Sequence, residues 1–242
     1  MITVKTQIDT MTKGEIGVLI LAGGKSERMF FPKAFLLCEE KTFLKKIVEE
    51  YYDAGLKNIY VVLNENFCTN EWSEYINQVE STIRLIKNPS PELGRFHSLK
   101  LGIKKMQDPD FCFIQNIDNP FVNKEVIKSL MESGNTEGYT SPVFKGKSGH
   151  PVLLSKKIMQ HINKLPEGDF NLRTILSGFS KLEVPVNTDE ILININTTED
   201  YKKYIASPNL PPMEERRIDA QAKKNGSTAS GSSLLGRLGG AS

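Results

Sequence analysis

The regular pattern of the chain begins at Ile16–Ala22, IGVLILA, a run without a single charged side chain. A run this short and this apolar predicts a strand buried on both faces of a parallel sheet. Gly23-Gly24 breaks it. Residues 41–54 repeat apolar side chains (Phe43, Leu44, Ile47, Val48, Tyr51) at helical spacing, and Gly55 follows where a helix stops. Residues 57–63 are rich in β-branched side chains and predict a strand. A short helix over 72–79 and a strand over 82–86 come next, closed by the loop Asn88-Pro89-Ser90-Pro91. Residues 98–106 return to the helical period, and 111–117 form another apolar run ending in Asp118-Asn119-Pro120. Strands and helices alternating at this spacing predict a mostly parallel sheet with helices on both faces.

Beyond Phe121 the texture changes. Residues 122–131 predict a helix. Strands over 139–144 and 150–154 flank Lys145-Gly146-Lys147-Ser148-Gly149, which reads as a polar hairpin or lid loop. His161 falls on a helical stretch. A helix is expected over 169–178, starting near Asp169 or Asn171, then short strands over 182–185 and 191–195. Residues 198–205 predict a short amphipathic helix whose Glu199 and Asp200 favour its N-terminal dipole. The folded domain is expected over 15–206. Residues 1–14 read as a polar N-terminal extension without the apolar centre of a signal peptide. Residues 207–242 lose the apolar periodicity, turn rich in Gly, Ser and Ala, and read as a disordered tail.

Composition narrows the function classes. With 31 basic against 29 acidic side chains and a net charge of +2, the chain has no charge surplus to suggest a nucleic-acid partner. No apolar run reaches membrane-spanning length, which argues against a membrane partner. Cys38, Cys68 and Cys112 are far apart and lack the Cys-x-x-Cys spacing of metal or redox sites, so free thiols in a cytoplasmic protein are expected.

The candidate chemistry follows the first strand. Gly23-Gly24, Lys25, Ser26, Arg28 and Lys33 combine a glycine turn, a hydroxyl and cations. Glycines let the backbone approach a ligand and expose N–H groups, and the cations suit an anion with several phosphates. The stretch fits neither the P-loop nor the Gly-x-Gly-x-x-Gly dinucleotide fingerprint. Asp118, at the end of an apolar run, is expected at the carboxyl edge of the sheet, where open α/β folds bind ligands. Mg²⁺ commonly takes one or two carboxylates and completes its shell with phosphate oxygens and water, so Asp118 suits a metal bridging to a triphosphate.

Leu21, Ala22, Gly23, Gly24, Ser26, Arg28, Met29 and Lys33 together resemble the signature of the MobA/MocA-like nucleotidyltransferases, the molybdenum-cofactor guanylyl- and cytidylyltransferase group. Phe30 departs from it by standing where that family usually has glycine; a positive φ there would strain a phenylalanine. Asp118-Asn119-Pro120 is similar to the family's Asp-x-Pro. Asn194-Ile195-Asn196-Thr197-Thr198-Glu199-Asp200-Tyr201 is similar to its last motif, with asparagine at both positions that can be acidic. Gly94 to Gly102 resembles the segment that lies against base and ribose, with Ser98 in register. Gly149-His150-Pro151-Val152 and Gly168-Asp169-x-x-x-Arg173 resemble segments of the cytidylyltransferase branch.

The resemblance implies a three-layer α/β nucleotidyltransferase (GT-A-like) fold with a mixed, mainly parallel central sheet. It implies transfer of NMP from a nucleoside triphosphate to a small phosphorylated acceptor, with Mg²⁺ and release of pyrophosphate. Leu21, Ala22, Gly23, Gly24, Ser26, Arg28, Lys33 and Ser98 would bind the nucleotide. Arg28, Lys33 and Asp118 would be catalytic, Asp118 and Asn196 would hold the metal, and His150 would face the acceptor. CTP is slightly preferred over GTP, and molybdopterin is one candidate acceptor. A sugar-1-phosphate nucleotidyltransferase and a non-catalytic nucleotide-binding module are the alternatives.

Overall fold

The computed structural model describes residues 16–29 and 31–205, so the expectations for residues 1–14, for Phe30 and for residues 207–242 lie outside the described residues. In chain order the elements are β1 Ile16–Ala22, β2 Leu37–Cys38, β3 Lys41–Thr42, α1 Phe43–Asp53 and β4 Asn58–Asn64. Then come α2 Ser73–Asn77, β5 Ile83–Asn88, α3 Gly94–Lys105, β6 Phe111–Asn116 and α4 Lys124–Glu132. The second half adds β7 Gly138–Phe144, β8 Lys147–Ser148, β9 Val152–Ser155, α5 Lys156–Lys164, α6 Leu172–Leu176, β10 Ser180–Pro185 and α7 Thr198–Tyr204.

The main sheet runs β5-β4-β1-β6-β9-β7-β10, with β8 folded back onto β7. The pairs β1/β4, β4/β5, β1/β6 and β7/β10 are parallel, while β9 runs antiparallel to both β6 and β7. The chain therefore leaves β1 on one side through β4 and β5, then returns to the other side with β6. That reversal makes the carboxyl ends of β1 and β6 a topological switch point, the crevice where open α/β sheets take their ligands.

The central strands β1, β4 and β6 are buried on both faces, and their alternating side chains meet helices in two outer layers. Leu19 and Leu21 of β1, with Cys112 and Ile114 of β6, pack with Leu99 and Ile103 of α3 and Ile158 and Ile162 of α5. Phe113 points the other way and meets Tyr51 of α1, ring centroids 5.4 Å apart. Gly102 lets α3 approach β1 closely, since a Cβ there would lie 2.4 Å from a Leu19 methyl.

The differences from the expected elements have local causes. The 98–106 helix starts earlier, at Gly94, because a φ of 82° there turns the chain out of the preceding 3₁₀ turn Pro91–Leu93. The helices expected over 72–79 and 169–178 shorten to α2 and α6, and Asn171 caps α6 by accepting from the Arg173 N–H. The 145–149 segment is a hairpin: Lys145 and Gly146, at φ 47° and 77°, turn β7 into β8. Residues 191–195 are not a strand. They pass from a 3₁₀ turn, Glu190–Leu192, into extended chain without a strand ladder: the His150 N–H donates to Ile191 O (2.9 Å), and Asn119 Nδ2 donates to Ile193 O (2.6 Å) and to Glu190 O (3.3 Å) just before the segment.

Candidate active site

The loop after β1 is shaped by close approach as much as by charge. A Cβ on Gly23 would lie 2.6 Å from Ser98 Oγ, so only glycine lets the strand end meet α3 here. Ser26 adopts a left-handed φ of 55°, and its Oγ accepts the backbone N–H of Lys33 at 3.1 Å. The hydroxyl expected to cradle phosphate thus also ties the loop across its neck. Fully buried Met29 pins the loop to the core, while Arg28 beside it stays exposed. Ser98 is buried, and its Oγ accepts from Asn88 Nδ2 at 3.1 Å, which joins the ends of β5 and α3 beneath the loop.

Across the crevice, the turn after β6 is held by a buried polar network. Gln115 accepts from the Tyr51 hydroxyl (3.0 Å) and donates to the carbonyls of Asn116 (2.9 Å) and Asn119 (2.8 Å). The Ile195 N–H donates to the Asp118 carbonyl at 2.6 Å, and the Ile117 N–H to Leu21 O at 3.2 Å. Asp118 is thereby fixed between the central strand and the segment before α7. Its carboxylate is buried; Oδ2 lies 3.5 Å from Arg95 Nη2, and Oδ1 has no hydrogen-bond partner among the described residues.

Lys33 faces the same crevice, and its Nζ donates to Asn196 Oδ1 at 2.9 Å. Asn196 is itself immobilised. Its N–H and that of Thr197 both donate to Asp200 Oδ2 at 2.9 Å, and Thr197 Oγ1 accepts from the Asp200 N–H, a capping box opening α7. Burial pushes the Lys33 ammonium below the ordinary lysine pKa; Asp118 opposes that shift, and Arg28 and Arg95 reinforce it.

Leu21, Ala22, Gly23, Gly24, Ser26, Arg28, Lys33, Ser98 and Asp118 line one cleft of about 520 Å³, together with Phe67 and Pro91 beyond β4 and β5. His150 lines a second cleft of about 900 Å³, over the β6, β9 and β7 side of the sheet. Leu21, Arg95 and Asn116 line both. The second cleft has an apolar wall that includes Phe96, Phe170 and Leu172, and polar groups in Ser141, His150 and Arg173. Asn116 Nδ2 lies 3.2 Å from His150 Nε2. With the amide donating, Nε2 accepts and the ring proton sits on Nδ1. Burial lowers the His150 pKa, which favours this neutral ring. His150 Nδ1 and Ser141 Oγ are buried and without partners among the described residues.

The arrangement suits a divalent cation. Asp118 Oδ1 is a buried oxygen with no partner among the described residues, beside a cleft lined by Arg28 and Lys33. Among the described residues no trio of His, Cys, Asp and Glu side chains converges to hold a metal. Phosphate oxygens and water would complete the shell, as is usual for Mg²⁺. Asn196, expected as a second ligand, spends its Oδ1 on Lys33 here.

Arg95, Gln115, Asn119 and Ser141 are absent from the sequence-based site. Arg95 lies inside the Gly94–Gly102 segment at a position where the resemblance requires no particular residue. The polar Gln115-Asn116 end of an otherwise apolar strand was the available signal for the network behind Asp118.

Comparison with known proteins shows which family and fold the chain shares. A sequence model described as the MobA-like NTP transferase domain matches residues 18–184. The molybdenum cofactor cytidylyltransferase of Escherichia coli (strain K12) is 29% identical over 192 residues, covering 77% of this chain and 93% of that protein. A probable molybdenum cofactor guanylyltransferase of Clostridium perfringens (strain SM101 / Type A) is 27% identical over 199 residues, covering 77% and 94%. Among solved structures, a nucleotidyl transferase from Methanothermobacter thermautotroptrophicus superposes with a TM-score of 0.64 at 18% identity, covering 78% of this chain and 95% of that one. At that identity the superposition shows the shared fold.

Proposed function

The chain belongs to the MobA-like NTP transferase family and is a nucleotidyltransferase, and we propose that it moves CMP from CTP to a phosphorylated acceptor with a flat, partly apolar body, such as molybdopterin. One observation carries this reading: the cationic glycine loop and Asp118 face each other across a cleft that opens, at Arg95 and Asn116, into a second, larger cleft.

In the reaction an oxygen of the acceptor phosphate forms a bond to the α-phosphorus. The bond from that phosphorus to the α,β-bridging oxygen breaks, and pyrophosphate leaves with the electron pair. The acceptor enters as a phosphate dianion, so no base is needed and no covalent enzyme intermediate forms. The work of the protein is positioning and charge.

The exposed N–H groups of the loop and the Arg28 guanidinium bind the β- and γ-phosphates and stabilise the departing charge. Lys33, held by Asn196, brings an ammonium to the α-phosphate side of the cleft. The base and ribose extend past Gly23 and Ser98 toward Phe67 and Pro91. Asp118 would hold Mg²⁺, which when bound offsets phosphate charge and eases departure of the leaving group.

The cytidylyl preference rests on Gly149-His150-Pro151-Val152, similar to the cytidylyltransferase branch, with His150 beside the second cleft. The acceptor class rests on the Phe96, Phe170 and Leu172 wall facing the polar Ser141 and His150. Pyrophosphate release tests the reading, with CTP, GTP, UTP and ATP each paired with molybdopterin or a sugar phosphate under Mg²⁺. CTP with molybdopterin should give the highest kcat/KM. Faster turnover with GTP reverses the base assignment, and turnover only with a sugar phosphate reverses the acceptor. Tight NTP binding without turnover on any pair favours a nucleotide-binding module.

A further inference from the structure

We propose that Arg95 is a catalytic residue that grips the acceptor's phosphate where the two clefts meet; this deepens the nucleotidyltransfer reading and rests on it. Among the described residues, Arg95 is the only charged side chain that lines both clefts. Its backbone is fixed, because the next residue, Phe96, is buried and packs on Phe170 with ring centroids 5.3 Å apart. Its side chain is free to move, being 65% exposed. The contact to Asp118 Oδ2 is a single one at 3.5 Å, at the outer limit of hydrogen-bond length, and it holds weakly although the carboxylate is buried. The guanidinium rests against Asp118 without being locked there.

The reaction creates a need that the other cations do not meet. The acceptor phosphate has to approach an α-phosphate that is itself anionic, so a cation must stand between them. Lys25, Arg28 and Lys33 line the nucleotide cleft and not the second one. In the second cleft Lys181 Nζ is engaged by Ser148 Oγ and Glu183 Oε1, and Arg173 does not line the nucleotide cleft. Among the described cations Arg95 alone reaches both sides, and its planar fork of five N–H donors suits two anionic oxygens held side by side. The incoming phosphate displaces the weak contact with Asp118, and the guanidinium then offsets the repulsion between attacking and attacked phosphates.

The test is a comparison of wild type, Arg95→Gln and Arg95→Lys. Steady-state pyrophosphate release should show that Arg95→Gln raises the acceptor KM at least about tenfold and lowers kcat/KM for the acceptor about 100-fold. The Kd for CTP should move less than about threefold, because the phosphates of CTP are held by other groups. Arg95→Lys should recover part of kcat by restoring charge without the fork. An unchanged acceptor KM in Arg95→Gln overturns the proposal, as does an equal loss of CTP binding. A second measurement does not depend on turnover: calorimetric titration of inorganic phosphate into the CTP-saturated proteins. Phosphate binding to wild type that is lost in Arg95→Gln upholds the Arg95 subsite, even if no acceptor of the panel is turned over and the reaction reading fails. Equal binding by both proteins, or none by wild type, overturns it.

Discussion

Asp118→Asn keeps the shape of the side chain and removes its charge, and the structure assigns it two effects of opposite sign. Asp118 is buried, with one carboxylate oxygen unpartnered among the described residues and the other in weak contact with Arg95. Without metal, its charge repels a triphosphate held by Arg28 and Lys33. At about 6 Å and an effective dielectric of about 20, one unit charge on another amounts to about 3 kcal/mol. The cleft is open to solvent and salt, so roughly a third should survive, about 1 kcal/mol or about fivefold in affinity. CTP titrated calorimetrically in EDTA should therefore bind the variant about fivefold more tightly. With Mg²⁺ the order reverses: turnover should fall about 10²–10³-fold, because the anionic ligand is gone and with it the aligned charge. The melting temperature should stay within about 2 °C of wild type, since the lost pair to an exposed arginine contributes about 0–1 kcal/mol. Opposite movement of the two readouts marks Asp118 as the metal-facing carboxylate. Wild-type turnover at every Mg²⁺ concentration would refute the metal role, and weaker CTP binding in EDTA would refute the placement of Asp118 against the phosphates.

Arg28→Ala and Lys33→Ala should each lower turnover about 100-fold while the far-ultraviolet spectrum stays native, because each removes charge from the transition state; near-normal rates in both would remove the loop from the chemistry. Asn196→Ala releases Lys33 and should cost about tenfold in kcat, the scale of a hydrogen bond to a charged group, with the Mg²⁺ requirement unchanged; a raised requirement would put Asn196 on the metal instead. The Lys33 pKa is lowered from 10.5, so its ammonium is lost earlier than usual as pH rises, and metal-free CTP binding should weaken on an alkaline limb below pH 10.5 that Lys33→Arg abolishes. His150 is held below its ordinary 6.5 and folds as the neutral ring. The unfolded chain then takes up more protons as pH falls through 6.5, so this stability is present above 6.5 and lost below it; His150→Asn should flatten that part of the melting-temperature profile. Gly102→Ala should destabilise the fold by about 1–3 kcal/mol in urea, because its methyl meets Leu19 at the α3–β1 contact.

Much of the architecture was legible in residue order. The apolar run of β1, the helical spacing in α1 and the β-branched run of β4 report burial directly, because water sorts side chains by period before any long-range contact forms. The glycine loop with Arg28 and Lys33, and an aspartate closing an apolar strand, marked the candidate site, and the structure brings them to one cleft. The 191–195 segment has the apolar texture of a strand for the same local reason, yet its Ile191 and Ile193 carbonyls pair with the His150 N–H and the Asn119 side chain, and neither partner shows in local sequence. Lys33 and Asn196 are 163 residues apart and share one hydrogen bond. Arg95 reads as one more polar residue at the start of a helix until packing sets α3 over β1, β4 and β5 and two clefts meet at its side chain. Ser141 and His150 become a buried polar edge only because β7 and β9 share the second half of the sheet. Periodicity records which side of an element is dry, whereas a site is made by which elements are neighbours. That neighbourhood follows from the reversal of strand order at β1, which no local pattern of side chains encodes.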